Sequence, residues 1–177
     1  PEGLGAASFY LIHDILVKAA VFLLAGVIVY AAGSADLRKI GGLIRSHPVL
    51  AVIFLGAGLS LAGLPPFSGF WAKVVIADAA FAGNEPILGG IALGTGLITL
   101  MCVAKIWMEA FWKAAPEGMA LNTERVPLTL IVPAAALTAI SLAIGLYAEP
   151  LIELAQIAGQ GLIDTAPYAN AVLGGQP

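Results

Sequence analysis

The chain has 177 residues, 60% hydrophobic and only 11% charged, with a mean hydropathy of +0.97. Soluble domains carry roughly a quarter of charged residues, so this is the composition of an integral membrane protein, all-α in class because nothing alternates like the strands of an outer-membrane barrel. A net charge of −3 and a pI near 5.2, with no basic stripe, exclude nucleic acid as a partner, and the single Cys102 excludes an internal disulfide or a cysteine metal cluster.

The opening PEGLGAASFY carries no initiator Met and no signal-peptide pattern, and reads as the C-terminal part of something longer. A first span is predicted over about residues 6–32, with His13, Asp14 and Lys18 in its first half. Lys18 lies about 12 residues in, about 18 Å along a helix, which is mid-membrane if the span starts there. Asp14 and Lys18 are spaced i, i+4 with the acid first, the favourable order for a pair. His13 is about 140° round the helix from Lys18 and faces another neighbour. A start near Ile15 would instead leave His13 and Asp14 among the headgroups.

The loop at residues 33–47 holds Arg38, Lys39 and Arg45 against Asp36, a cytoplasmic signature. A second span is predicted over 48–64, its Gly56, Ala57, Gly58, Ser60, Ala62 and Gly63 forming a packing surface of small residues. The third, over 65–82, is the exceptional one. In SLAGLPPFSGFWAKVVIADAA, Pro65 and Pro66 lack backbone donors and Gly69 is permissive, so a helix must break here. Lys73 falls one turn past the break. Irregular backbone at membrane depth is tolerated only inside protein or beside water, and a membrane lysine usually marks an ion path. A polar cavity explains both features; a tight turn with Lys73 snorkelling to the interface is the plainer reading.

The fourth span, over 87–112, ends in KIWMEAFWK, where Lys105, Glu109 and Lys113 form an i, i+4, i+8 ladder among Trp107, Phe111 and Trp112. That is either an interfacial aromatic belt or, at Lys105 and Glu109, the exit of an ion path. The fifth span, over 127–147, is uncharged, and Pro133 predicts a kink. Residues 1–148 thus make a transmembrane bundle of about five spans with one discontinuous helix. Residues 149–177 form a tail whose apolar spacing suits a short amphipathic helix on the membrane surface or docked on a partner.

Lysine, histidine and acid side chains together in membranes are most often proton relays. No nucleophile motif, zinc spacing or phosphate loop accompanies them, which speaks against an enzyme and leaves no cofactor or metal expected.

Three motifs, HDILVKAAVFLLAG at 13–26, DLRKIGGL at 36–43 and LAGLPPFSGFWAKVVI at 61–76, resemble the antiporter-like subunits shared by Mrp-type cation/proton antiporters and respiratory complex I. KIWMEAFW at 105–112 and LIDTAPYANAVLG at 162–174 are most similar to the D-type branch of the Mrp group. The resemblance implies a fold of fourteen transmembrane helices with two inverted five-helix repeats, of which this chain would supply helices ten to fourteen. It implies that Lys18 and Lys73 load protons and that His13 and water link them. Asp14 departs from the pattern, because some relatives have histidine there, and an acid offsets the charge of Lys18. Implied partners are the other Mrp subunits, lipid, Na⁺ and H⁺, in the plasma membrane of a prokaryote. Rival readings are a proton-pumping component of complex I or a related hydrogenase, and a non-transporting membrane scaffold.

Overall fold

The computed structural model describes residues 2–116 and 126–164, together with residues 166 and 172. It contains α1 (Glu2–Ala32), a 3₁₀ turn (Leu37–Lys39), α2 (Leu43–Ser46), α3 (Pro48–Ala62), α4 (Ser68–Ala82), α5 (Pro86–Ile106), which runs into a π-helical turn (Trp107–Trp112), α6 (Leu128–Leu146) and α7 (Glu149–Ile163). Among the described residues there is no strand, as expected for an all-α membrane bundle. The polar loop with Glu117, Glu124 and Arg125, and most of the LIDTAPYANAVLG stretch after residue 164, lie outside the described residues.

Among the described residues three helices are long and apolar enough to cross a membrane: Glu2–Ala32, Pro86–Trp112 and Leu128–Leu146. α3 and α4 have 15 residues each, about 22 Å of helix, short of a hydrocarbon layer of about 30 Å. Their neighbours explain how they manage. Leu50, Ala51, Phe54 and Ala57 of α3 share a core with Ala20, Leu24, Val27 and Ala31 of α1. Farther along, Ser68 meets His13, and Ala72 packs with Phe9. Numbers rise along α3 and α4 while they fall along α1, so the two short helices form one interrupted course antiparallel to it. The expected spans over 48–64 and 65–82 thus appear as two short helices end to end along α1, with the interruption close to His13.

The ends of the halves follow from the sequence. Pro48 begins α3, where its missing N–H costs nothing. Gly63, at φ +87°, closes it. The Gly63 N–H bonds the Ser60 carbonyl at 3.0 Å and the Leu64 N–H bonds Leu59 at 3.0 Å, the paired bonds of a Schellman closure. The break is thus residues 63–67, including a cis Pro65–Pro66 bond. Gly69 is not part of it. It lies inside α4, where a Cβ would run into the Ser60 carbonyl and stand 2.9 Å from His13 Cε1, so it serves close packing.

α5 runs back along the whole interrupted course, with Gly96 against Lys73 and Ala62, then Val103 against Gly58. α6 packs alongside the break: Gly145 touches the Pro66 and Phe67 backbone, and its carbonyl accepts from Trp71 Nε1 at 2.9 Å. α7 docks on the start of α1, where Gly5 and Gly159 let the backbones meet and Phe9, Ala72 and Ala155 share a small core. The loop after α1 is fixed by Asp36, whose carboxylate caps the 3₁₀ turn at Arg38 N and pairs with the Arg38 side chain. Those bonds hold the Asp36 carboxyl below its ordinary pKa.

The aromatic end of α5 departs from an interfacial belt. Phe111 is fully buried, stacked on Trp107 at 5.0 Å and against Phe54 at 5.1 Å, because the wider π turn swings these rings inward. Trp112, by contrast, is 74% exposed. Phe111→Ala should therefore destabilise by about 3–5 kcal/mol, and Trp112→Ala by within about 0.5 kcal/mol, as read from thermal unfolding in detergent.

Candidate functional site

The break leaves a particular problem. In a continuous helix the carbonyls of Leu61 and Ala62 would accept from the N–H groups of residues 65 and 66, and both of those are prolines. Two carbonyls thus lose their helical donors at membrane depth, where an unpaired polar group is costly. Lys73, one and a half turns into α4, reaches back and donates from Nζ to the Leu61 carbonyl at 3.1 Å. The residue is only 8% exposed, which removes the snorkelling reading. Two glycines make room for it. A Cβ on Gly63 would crowd Lys73 Cδ, and one on Gly96 would stand 2.9 Å from Cε. Break and lysine are one construction, since the prolines free the carbonyl that the ammonium takes.

His13 points to the same region from α1. It is 3% exposed, and its Nδ1 is 2.8 Å from Ser68 Oγ in the first turn of α4. Asp14 and Lys18 face elsewhere. They form an i, i+4 ion pair at 2.8 Å, with 21% and 56% of their side chains exposed on this chain. The reason is the inward stripe of α1, which runs through Phe9, His13, Val17, Ala20 and Leu24; Lys18, next to Val17, is turned to the flank. The structure therefore brings together His13, Ser68 and the break, places Lys73 on the same break, and leaves Lys18 with Asp14 on the outer face among exposed Leu11, Ile15 and Phe22.

At the other end of the bundle, Lys105 is exposed in the last turn of α5. Glu109 pairs with Lys113 at 2.6 Å, and Lys113 also donates to the Leu37 and Arg38 carbonyls. These contacts fasten the loop after α1 to the end of α5. Asp78 is exposed near the end of α4. No group of three or more His, Cys, Asp or Glu side chains placed to hold a metal occurs among the described residues.

Three side chains are not singled out by sequence alone. Ser60, Ser68 and Ser141, each 0% exposed, come from α3, α4 and α6 and bond one another. Ser60 to Ser141 is 2.6 Å and Ser68 to Ser141 is 2.8 Å. A lone serine in an apolar helix reads as a small packing residue. The one available signal is that Ser60 and Ser68 lie on either side of the break.

Comparison with known proteins places this geometry among relatives. The profile of the family described as NADH:quinone oxidoreductase/Mrp antiporter, TM, matches residues 1–99. Among curated proteins, the chain is 36% identical to the D-type subunit of the Na⁺/H⁺ antiporter of Alkalihalophilus pseudofirmus, over 96% of its length and 34% of the relative's. It is 39% identical to the protein of the same name from Bacillus subtilis, over 98% of this chain and 35% of that one. The chain thus spans about a third of those relatives. Among solved structures, a chain of the Mrp complex from a Dietzia species superposes with a TM-score of 0.88 at 31% identity, covering 96% of this chain and 40% of that one.

The tightness of the lysine's berth gives a prediction. Gly96→Ala places a methyl 2.9 Å from Lys73 Cε and 3.2 Å from the Ala62 carbonyl, and should cost about 1–3 kcal/mol by overpacking. Gly94→Ala, where nothing lies within 4 Å, should cost nothing measurable. Thermal unfolding of the purified variants distinguishes the two.

Proposed function

The chain belongs to the NADH:quinone oxidoreductase/Mrp antiporter transmembrane family, and from that premise we propose that it forms part of a D-type subunit that exchanges Na⁺ for H⁺ within a multi-subunit Mrp complex. The observation that carries the reading is Lys73, held at a helix break against the Leu61 carbonyl and shielded from solvent. An ammonium on an interrupted helix deep in a bundle is a group that can load and release a proton while the bundle keeps bulk water out. His13 lies on the other side of the same break as a second proton carrier. Adding charge at one site raises the cost of charge at the next, with a strength set by the local dielectric, so protons advance by mutual repulsion.

Lys18 and Asp14 enter as the upstream station. Their outward placement fits a face covered by other helices of the full-length protein, because an ion pair turned to hydrocarbon would be costly. Asp14 would tune the charge on Lys18. On this reading the protein is a multi-pass transporter component of a prokaryotic plasma membrane, not an enzyme, and its partners are the other Mrp subunits with Na⁺ and H⁺ as substrates. The similarity to named D-type antiporter subunits and to the Mrp complex supports this over the complex I alternative.

In the full-length protein within its complex, Lys73→Ala should abolish cation-dependent proton flux in proteoliposomes, and unaltered flux would remove Lys73 from the scheme. A scaffold role predicts a different result, poorer assembly with normal flux per assembled complex. Iron–sulfur or flavin absorbance in the purified complex would favour the redox-driven alternative.

A further inference from the structure

The serine cluster behaves unlike the other hydroxyls of the bundle. Ser8, Thr95, Thr99 and Thr138 each donate to a carbonyl three or four residues back in their own helix, the ordinary way to satisfy a hydroxyl in an apolar setting. Ser60, Ser68 and Ser141 instead bond one another across three helices, and the row ends on His13 Nδ1. Its O···O separations of 2.6 and 2.8 Å are those of well-formed hydroxyl–hydroxyl bonds. Among the described residues no buried side-chain nitrogen or oxygen lacks a partner, so these four groups satisfy one another. The other end of the row, Ser60, is the residue before Leu61, whose carbonyl holds Lys73.

We propose that Ser60, Ser141 and Ser68 form a hydroxyl wire that carries protons, but not the exchanged cation, between Lys73 of α4, bonded to α3 one residue past Ser60, and His13 on α1. The wire rests on the relay role of Lys73 and His13 and supplies its connecting atoms. A hydroxyl has one donor and two acceptor positions, so it can receive a proton on one side and release one on the other. In the starting arrangement Ser60 O–H donates to Ser141, Ser141 O–H to Ser68, and Ser68 O–H to His13 Nδ1, with the imidazole proton on Nε2. The Lys73 ammonium, held at the Leu61 carbonyl, swings to the neighbouring Ser60 Oγ, gives it one proton and becomes a neutral amine. Each hydroxyl hydrogen moves one partner along, and the last arrives on Nδ1 and makes His13 an imidazolium. One proton has left Lys73 and one has appeared on His13. The imidazolium then releases its Nε2 proton onward, and rotation of the three hydroxyls restores the row. A cation with its hydration shell has no place in a file of directly bonded oxygens, so the route is selective by construction.

The test uses the full-length protein in its assembled complex, reconstituted in proteoliposomes with a pH-sensitive dye inside. Flux is expressed per assembled complex. Ser141→Ala cuts the wire at its middle, and Ser60→Ala removes its first member while leaving the bonds among Ser141, Ser68 and His13. Each should lower Na⁺-linked proton flux by at least about a hundredfold, the low end of what a positioned proton-transfer group contributes. Ser141→Thr, which keeps the hydroxyl, should retain flux. If Ser141→Ala and Ser60→Ala match the parent protein while Lys73→Ala is silent, the wire is wrong and the lysine relay stands. If Lys73→Ala is also fully active, the relay falls with it. If Ser141→Ala lowers only the amount or thermal stability of the complex, the serines are structural and the proposal is overturned. Loss of flux in Ser141→Thr equal to that in Ser141→Ala overturns it as well.

Discussion

Two adjacent prolines remove the backbone donors that the Leu61 and Ala62 carbonyls would otherwise have, and the region around the break is built on that loss. Inside a bundle packed with Leu, Phe and Ala such a deficit is costly. A long cation from the next half-helix makes it good for Leu61, and Gly63 and Gly96 supply the volume it needs. α6 then seals the interruption from the side, through Gly145 against the Pro66 and Phe67 backbone and the Trp71 indole on the Gly145 carbonyl. The arrangement explains how a lysine can be kept out of solvent here with no carboxylate in salt-bridge contact among the described residues.

The interruption also sets the scale of the bundle. Each 15-residue half is too short to cross alone, and together they follow the 31 residues of α1. Their junction therefore falls opposite His13, in the first half of α1. Small residues bring the helices close there: Gly69 against the Ser60 carbonyl, Gly58 against Val103. The polar groups meet because the backbones can.

Much of this is legible in the sequence. Apolar length marks α1, α5 and α6, the spacing after residue 148 marks an amphipathic α7, and Pro65, Pro66 and Lys73 mark the break with its cation. How the segments on either side of the break align is not written there. Local pattern says that a helix stops and another starts, but whether the second turns back or carries on depends on packing against α1. For the same reason sequence alone puts Gly69 in the break, whereas its role is a contact with a residue nine positions earlier. The serines are invisible because a hydroxyl's partner across helices leaves no periodic trace. Helical geometry alone separates His13 from Lys18 around α1, but which of the two faces this bundle is a property of the neighbours.

The ion pair on the outer side of α1 has a consequence for how the protein is made. A nascent α1 must leave the translocon with Asp14 and Lys18 in the membrane, each costing about 2.5–3.5 kcal/mol on insertion scales if taken separately. Joined one turn apart on the same helix, they enter as a pair with no net charge, at a lower cost than the two charges taken separately, before any later segment has been synthesised.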